Sequence, residues 1–335
     1  MVDRASLAVL VTRPIVEGSL EPLTDAGIRI QQWPVDEPMP RATLLSQAKD
    51  VDGILAMITE RIDPELLDAA PRLKVVANFA VGVDNVDVAA CTRRGVVVCN
   101  TPGVLVETTA DMAFLLLMAA TRRLGEASQA VRAGEWRGWS PWFMLARDVH
   151  HATLGIVGLG AIGRQVARRA RGFDMRVLYA NRTRRPDLEA SLGVEYVDFA
   201  SLLRESDVVS IHLALTPETR HLFSTEQFRA MKRTAVLVNT ARGAIVDQAA
   251  LYEACRSGEI AGVGLDVTDP EPLVAADPLL SLANVLVVPH VGSATRETRI
   301  AMGRLAATNI AHVLTGQRPP APVNPEALGR DRRAD

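Results

Sequence analysis

Leu154-Gly155-Ile156-Val157-Gly158-Leu159-Gly160-Ala161-Ile162-Gly163 places glycines in the spacing G-x-G-x-x-G at 158, 160 and 163. Alone the spacing is a weak signal. Here an apolar strand at 154–157 precedes it, a helix is expected over 161–171, and a second strand at 176–180 follows. Strand, glycine turn, helix and strand in that order make a dinucleotide-binding fingerprint. Gly158 permits the tight turn, Gly160 lets a pyrophosphate approach the backbone, and Gly163 lets helix and strand pack closely. The helix start adds free N–H groups and a partial positive charge, so 158–163 are candidate cofactor-binding residues.

Working outward, short apolar runs at 208–213, 235–239, 262–265 and 285–288 continue the series of strands, with helical stretches between them. An earlier series at 7–11, 28–33, 51–58, 73–80 and 96–99 has the same character. Continuous apolar strands alternating with helices predict parallel sheets covered on both faces. At ~100–200 residues per domain, a chain of 335 residues suits two such domains. The predicted fold is therefore α/β with two doubly wound parallel-sheet domains. A long helix is expected at 107–123, and Gly134-Glu-Trp-Arg-Gly-Trp-Ser-Pro-Trp142 reads as an extended connection between domains. A last helix at 297–314 precedes the proline-rich 318–325, which can form neither helix nor central strand.

Composition narrows the function classes. Apolar residues make up 48% of the chain and charged residues 23%, with a formal net charge of −2. No basic stripe argues for nucleic acid. The longest apolar run, 112–120, is far short of the ~20 residues that span a bilayer. Cys91, Cys99 and Cys255 are widely spaced and odd in number, with no disulfide or zinc pattern. Buried thiols in a reducing cytoplasm, and no metal site, are the expectation.

The residues after the second strand bear on the cofactor. Leu178-Tyr-Ala-Asn-Arg-Thr-Arg-Arg-Pro186 offers Asn181, Arg182 and Thr183 where an NAD-binding turn carries a carboxylate for the ribose 2′-OH. Guanidinium forks match phosphate oxygens. NADP(H) is thus expected in preference to NAD(H), with NAD(H) remaining open.

Past the other strand ends, Thr240, Ala241 and Arg242 follow 235–239, Asp266 and Glu271 follow 262–265, and His290 and Gly292 follow 285–288. Carboxyl ends of parallel strands are where open α/β sheets bind ligands. Asn78-Phe-Ala-Val-Gly-Val-Asp84 lies past a strand of the first series. Together with Asn100-Thr-Pro-Gly103, Asn239-Thr-Ala-Arg-Gly243, Asp266 to Pro272 and Pro289-His-Val-Gly-Ser293, these motifs resemble the D-isomer-specific 2-hydroxyacid dehydrogenases over nearly the whole chain. Within that family, Gly134-Glu-Trp136, Trp142-Phe143 and Asn181-Arg-Thr183 are most similar to the glyoxylate/hydroxypyruvate reductase branch.

The resemblance implies a flavodoxin-like substrate-binding domain from 1–101 and 291–325, a Rossmann cofactor domain at 102–290 and a tail at 326–335. It implies a homodimer, with 107–123 and the tryptophan segment near the interface and Trp142 reaching the partner's substrate. Thr109 joins the cofactor-binding set on the same grounds. The activity implied is reduction of a small 2-keto acid, glyoxylate or hydroxypyruvate. His290 is the candidate acid, oriented by Glu271. Arg242 is the candidate for holding the carboxylate and polarising the carbonyl, and the backbone N–H groups of Val81 and Gly82 can bind the carboxylate. One departure is Thr268, where many relatives place an aromatic residue. A reductase of a larger 2-keto acid (2-ketogluconate, a phenylpyruvate) and a dinucleotide-sensing binding protein similar to the C-terminal-binding co-repressors are the alternatives.

Overall fold

The computed structural model describes residues 7–329. The chain divides into two units: one runs up to Leu105 and resumes at Ala294, and the other is Val106–Ser293. These divisions come a few residues after the expected 101/102 and 290/291, because each falls just before a helix begins. The described part of the expected tail, 326–329, goes with the first unit, where Ala327 is buried.

The first unit is built on β1 (Ala8–Val11), β2 (Arg29–Gln32), β3 (Gly53–Ala56), β4 (Val75–Asn78) and β5 (Val97–Cys99). Helices α1 (Glu21–Asp25), α2 (Arg41–Gln47), α3 (Pro64–Ala69) and α4 (Val88–Arg93) connect them. All pairs are parallel, in the order β2-β1-β3-β4-β5, the doubly wound order of flavodoxin-like sheets. β1, β3 and β4 are buried at every residue, as a sheet covered on both faces requires. The C-terminal helix of the chain, Arg296–Leu314, belongs to this unit and packs on β3, β4 and β5.

The second unit begins with α5 (Val106–Thr121) and α6 (Leu124–Arg132). Its strands are β6 (Thr153–Val157), β7 (Arg176–Ala180), β8 (Val194–Tyr196), β9 (Val208–Ile211), β10 (Val236–Asn239), β11 (Gly262–Leu265) and β12 (Val285–Val287). Helices α7 (Ala161–Ala170), α8 (Pro186–Leu192), α9 (Phe199–Glu205), α10 (Thr225–Ala230) and α11 (Gln248–Ser257) lie between them, and α12 (Arg296–Leu314) is the helix of the first unit described above. The order β12-β11-β10-β9-β6-β7-β8 is wholly parallel. The direction of winding reverses between β6 and β9, the place where such sheets open a ligand crevice. Separate apolar clusters cover the two faces, one including Phe114, Val166 and Tyr179, the other Leu203, Phe228 and Leu251.

One expectation needs correcting. Gly134–Trp142 does not connect the domains, since it lies inside the second unit between α6 and β6. Its glycines, proline and polar residues keep it out of regular structure, which looks the same in sequence as a linker. No helix among the described residues is long and apolar enough to cross a membrane.

Candidate active site

The glycine turn is a close-packed object. Gly158 has φ +101°, and a Cβ there would come 2.5 Å from the His212 carbonyl oxygen. At Gly163 a Cβ would lie 2.4 Å from the Gly158 oxygen. Gly160 differs, since its Cβ direction opens on empty space, room for a phosphate against the backbone. Gly160 is also the N-cap of α7. The N–H groups of Ala161, Ile162 and Gly163 precede the first intrahelical bond, from Arg164 N–H to Gly160 O at 3.1 Å, so they face outward from the helix start.

Asn181 shapes the glycine turn. Its Oδ1 accepts the Leu159 N–H at 2.7 Å, tying the end of β7 to the glycine turn. Leu159, expected among the cofactor-binding residues, is 1% exposed and its N–H is spent on this contact.

In the following turn, Arg184 makes two hydrogen bonds to Glu189, of 2.8 and 2.7 Å, and lies over the Tyr196 ring. Arg185 pairs with Asp187 at 2.8 Å. Arg184 and the Tyr179 hydroxyl together hold the Glu189 carboxyl down at about 2. Arg182 is exposed and makes no ion pair or hydrogen bond among the described residues, though its charge helps to lower the Glu218 carboxyl.

Three strand ends come level through the sheet register. Asn239 pairs with Leu265, and Leu265 with Val287, so the turns carrying Arg242, Asp266, Glu271 and His290 leave one edge together. Asn239, fully buried, accepts the Ala241 N–H at 3.0 Å and donates to the Arg242 carbonyl at 2.8 Å. That shapes the Thr240–Arg242 turn. Thr240 is 8% exposed and its hydroxyl has no partner among the described residues. Arg242 is half-buried, with Nη1 donating to the Ala241 carbonyl at 2.8 Å. Gly243 allows a close approach: a Cβ there would meet the Thr268 carbonyl carbon and oxygen at 2.0 Å.

Asp266 is 1% exposed. Its carboxylate accepts the N–H groups of Val291 at 2.6 Å and Gly292 at 2.8 Å, and its carbonyl accepts the His290 N–H at 2.9 Å. Burial pushes the Asp266 carboxyl above its ordinary value, against the opposing pull of the Val291 amide, His290 and the Gly292 amide. A Cβ on Gly292 would lie 2.7 Å from Asp266 Oδ2 and 3.5 Å from the Thr109 methyl, so Thr109, Asp266 and Gly292 are neighbours. The turn they hold puts His290 at φ 52°, a left-handed conformation that non-glycine residues seldom adopt and that surrounding contacts must enforce. His290 Nδ1 meets Glu271 Oε1 at 2.5 Å, with the two side chains 29% and 35% exposed. Among the described residues no cluster of His, Cys, Asp or Glu could hold a metal ion.

Val81 and Gly82 belong to the first unit, past β4. The carbonyls of Ala80, Val81 and Gly82 accept in turn from Thr101 N–H at 2.8 Å, Asn100 Nδ2 at 2.7 Å and Asn78 Nδ2 at 2.8 Å. In a trans peptide N–H points opposite to C=O, so the three pins also aim the amides of Val81, Gly82 and Val83. The sequence reading missed Asn78, Asn100 and Asn239 as shaping residues. A signal existed for two of them: an asparagine as the last residue of an apolar strand, Asn78 in β4 and Asn239 in β10, against its poor strand propensity.

The sequence model of the family described as "D-isomer specific 2-hydroxyacid dehydrogenase, NAD binding domain" matches residues 114–292. A glyoxylate reductase of Korarchaeum cryptofilum is 50% identical over 321 residues, 96% of each chain. One from Thermococcus kodakarensis is 48% identical over 324 residues, 96% of this chain and 97% of that one. Among solved structures, an NADPH-dependent glyoxylate/hydroxypyruvate reductase from Sinorhizobium meliloti, in complex with NADP and malonate, superposes with a TM-score of 0.84. It has 35% identity and covers 98% of this chain and 99% of its own.

Proposed function

We propose a specific reaction for a chain that belongs to the D-isomer specific 2-hydroxyacid dehydrogenase family and is a nicotinamide-dependent oxidoreductase: the reduction of glyoxylate and hydroxypyruvate to glycolate and D-glycerate, with NADPH preferred. The observation that carries it is the 2.5 Å contact of His290 Nδ1 with Glu271 Oε1 on the edge that also bears Arg242.

The residues present fit the dinucleotide. The open Cβ direction at Gly160 and the leading amides of α7 suit a pyrophosphate. Arg182, which is hydrogen-bonded to no acid although its charge is felt by Glu218, suits a 2′-phosphate, and no carboxylate stands at Asn181 to repel one. Thr183 adds an exposed hydroxyl beside it, and the orphan Thr240 hydroxyl is a further polar group available to a ligand. When bound, the reduced nicotinamide supplies a hydride to the carbonyl carbon. With Nδ1 on Glu271, His290 has Nε2 left to give a proton to the carbonyl oxygen, and the two transfers together complete the alcohol. Glu271 fixes the ring's rotation about its bonds. Arg242 meets the keto oxygen and carboxylate, stabilising negative charge as it develops. Asp266 holds the His290 turn through two amides. In the first unit, the aimed amides of Val81 and Gly82 are the proposed group for a carboxylate. The active species is proposed to be a cytoplasmic homodimer, formed through the exposed face of α5, α6 and the tryptophan segment.

The test is a side-by-side kinetic comparison of glyoxylate, hydroxypyruvate and larger 2-keto acids with NADPH and NADH, following cofactor absorbance. Glyoxylate and hydroxypyruvate with NADPH should show the highest kcat/KM. His290→Ala should lose about 100-fold or more in kcat with NADPH binding intact. Turnover confined to a larger keto acid would replace the substrate assignment, and a fully active His290→Ala protein would remove His290 as the acid.

A further inference from the structure

We propose that Thr268 is a positioning residue for the reaction: its hydroxyl fixes the peptide that carries Glu271, and through it the Glu271–His290 pair. The inference rests on reading that pair as the proton-donating unit.

Glu271 stands between Pro270 and Pro272, and proline has no N–H. The segment therefore has few ways of being tied down. Among the described residues, the only hydrogen bond to the backbone of Pro270–Pro272 comes from Thr268 Oγ1, which donates to the Pro270 carbonyl at 2.8 Å. That oxygen belongs to the peptide joining Pro270 to Glu271, and a planar peptide turns as one body. Pinning the oxygen sets the direction in which the Glu271 side chain leaves the chain. The carboxylate has one partner among the described residues, His290 Nδ1, and is otherwise open to solvent on a side chain 35% exposed. Its placement is thus a backbone property more than a side-chain one.

Thr268 is itself well anchored. It is 9% exposed, and a β-branched side chain is stiff at χ1. Its carbonyl is packed against Gly243 so closely that no Cβ would fit there. The next amide, Asp269 N–H, donates to Gln248 Oε1 at 3.3 Å. Thr268 therefore links the turn bearing Arg242, through its carbonyl, to the turn bearing Glu271, through its hydroxyl. Loosening that link lets the carboxylate drift from the imidazole, and displacements near 1 Å cost up to about 100-fold in rate.

Thr268→Val keeps the shape and removes the donor, and Thr268→Ser keeps the donor. In the full-length protein with glyoxylate and NADPH, Thr268→Val should lower kcat about tenfold, with the NADPH Kd measured by fluorescence unchanged. Thr268→Ser should stay within about twofold of the parent, as retention of the hydroxyl requires. In a Glu271→Gln background, which is already slowed, Thr268→Val should change kcat by less than about twofold, because residues acting as one unit are not additive. Parental kcat in Thr268→Val overturns the inference, and so does an equal loss in both backgrounds, which would mean general damage. If Glu271→Gln alone keeps parental kcat, the pair's reading falls and the inference with it. A slowed Glu271→Gln beside an unaffected Thr268→Val removes only the role of Thr268.

Discussion

Three guanidinium groups crowd the turn after β7, and their partners separate them. Arg184 is committed to Glu189 and the Tyr196 ring, and Arg185 to Asp187. A phosphate would have to compete with a carboxylate for either. Arg182 makes no such contact, only a longer-range attraction to Glu218, so it can turn towards a 2′-phosphate without breaking a hydrogen bond. Charge-assisted hydrogen bonds contribute roughly 1.5–3 kcal/mol. Arg182→Ala should therefore raise the KM for NADPH about tenfold or more and leave the KM for NADH within about twofold. Arg184→Ala, measured alongside, should change the NADPH to NADH ratio far less. A matching rise for both cofactors in Arg182→Ala would mean the residue touches something common to the two. The sequence pointed to this turn by the absence of an acid. It named Arg182 by position but could not show that Arg184 and Arg185 are engaged, because their pairing with Glu189 and Asp187 depends on how α8 starts.

At the scale of elements, the strand ends supply polar side chains and asparagines give the turns their shape. The loop past β4 has three successive carbonyls held by Thr101, Asn100 and Asn78, and Asn78 is steadied by Asn85, whose Nδ2 donates to its Oδ1 at 3.2 Å. On the proposed carboxylate role of Val81 and Gly82, freeing the Val81 carbonyl lets the Gly82 amide swing. A typical hydrogen bond contributes about 0.5–1.5 kcal/mol net, so Asn100→Ala should raise the KM for glyoxylate roughly two- to tenfold. The KM for NADPH should not move. A fall in kcat at unchanged glyoxylate KM would show that Asn100 does something other than aim an amide. This layer was poorly legible beforehand. Arg242, Glu271 and His290 could be read because ionisable side chains just past apolar strands are conspicuous. Asn100 and Asn239 work by hydrogen-bonding backbone two or more residues away, and no spacing rule announces which carbonyl an amide will choose. The extra elements escaped for similar reasons. β8 is only Val-Glu-Tyr with two exposed residues at the sheet edge. α6 starts straight after α5, where Arg123 at φ 52° breaks the helix without a proline or glycine.

For the molecule as a whole, two doubly wound parallel sheets followed from the alternation of apolar runs and helices, whereas the surface proposed for assembly is visible only with exposure in hand. In the second unit α5 leaves Leu115 53% and Met118 36% exposed, three residues apart on one helical face, and α6 leaves Val131 56% exposed. The tryptophan segment adds Trp139 and Trp142 at 88% and 80%. Its far end is tied back to the α5–α6 junction, where Arg123 Nη1 donates to the Leu145 carbonyl at 3.2 Å. Each tryptophan carries roughly 150–250 Å² of surface, and exposed apolar area of this kind on one unit supports the proposed pairing surface. A closed two-fold pairing of this face with itself would cover it. Light scattering on the 36.1 kDa chain should therefore report about twice that mass. Leu115→Glu combined with Trp139→Glu places charges on exposed positions, so the fold should persist while the mass falls to that of one chain. If Trp142 reaches the partner's substrate, this dissociated variant should also show a higher KM for glyoxylate at an unaltered KM for NADPH. A parent protein that scatters as a single chain, or a doubly charged variant that still pairs, would put the interface elsewhere and leave the tryptophans to another task.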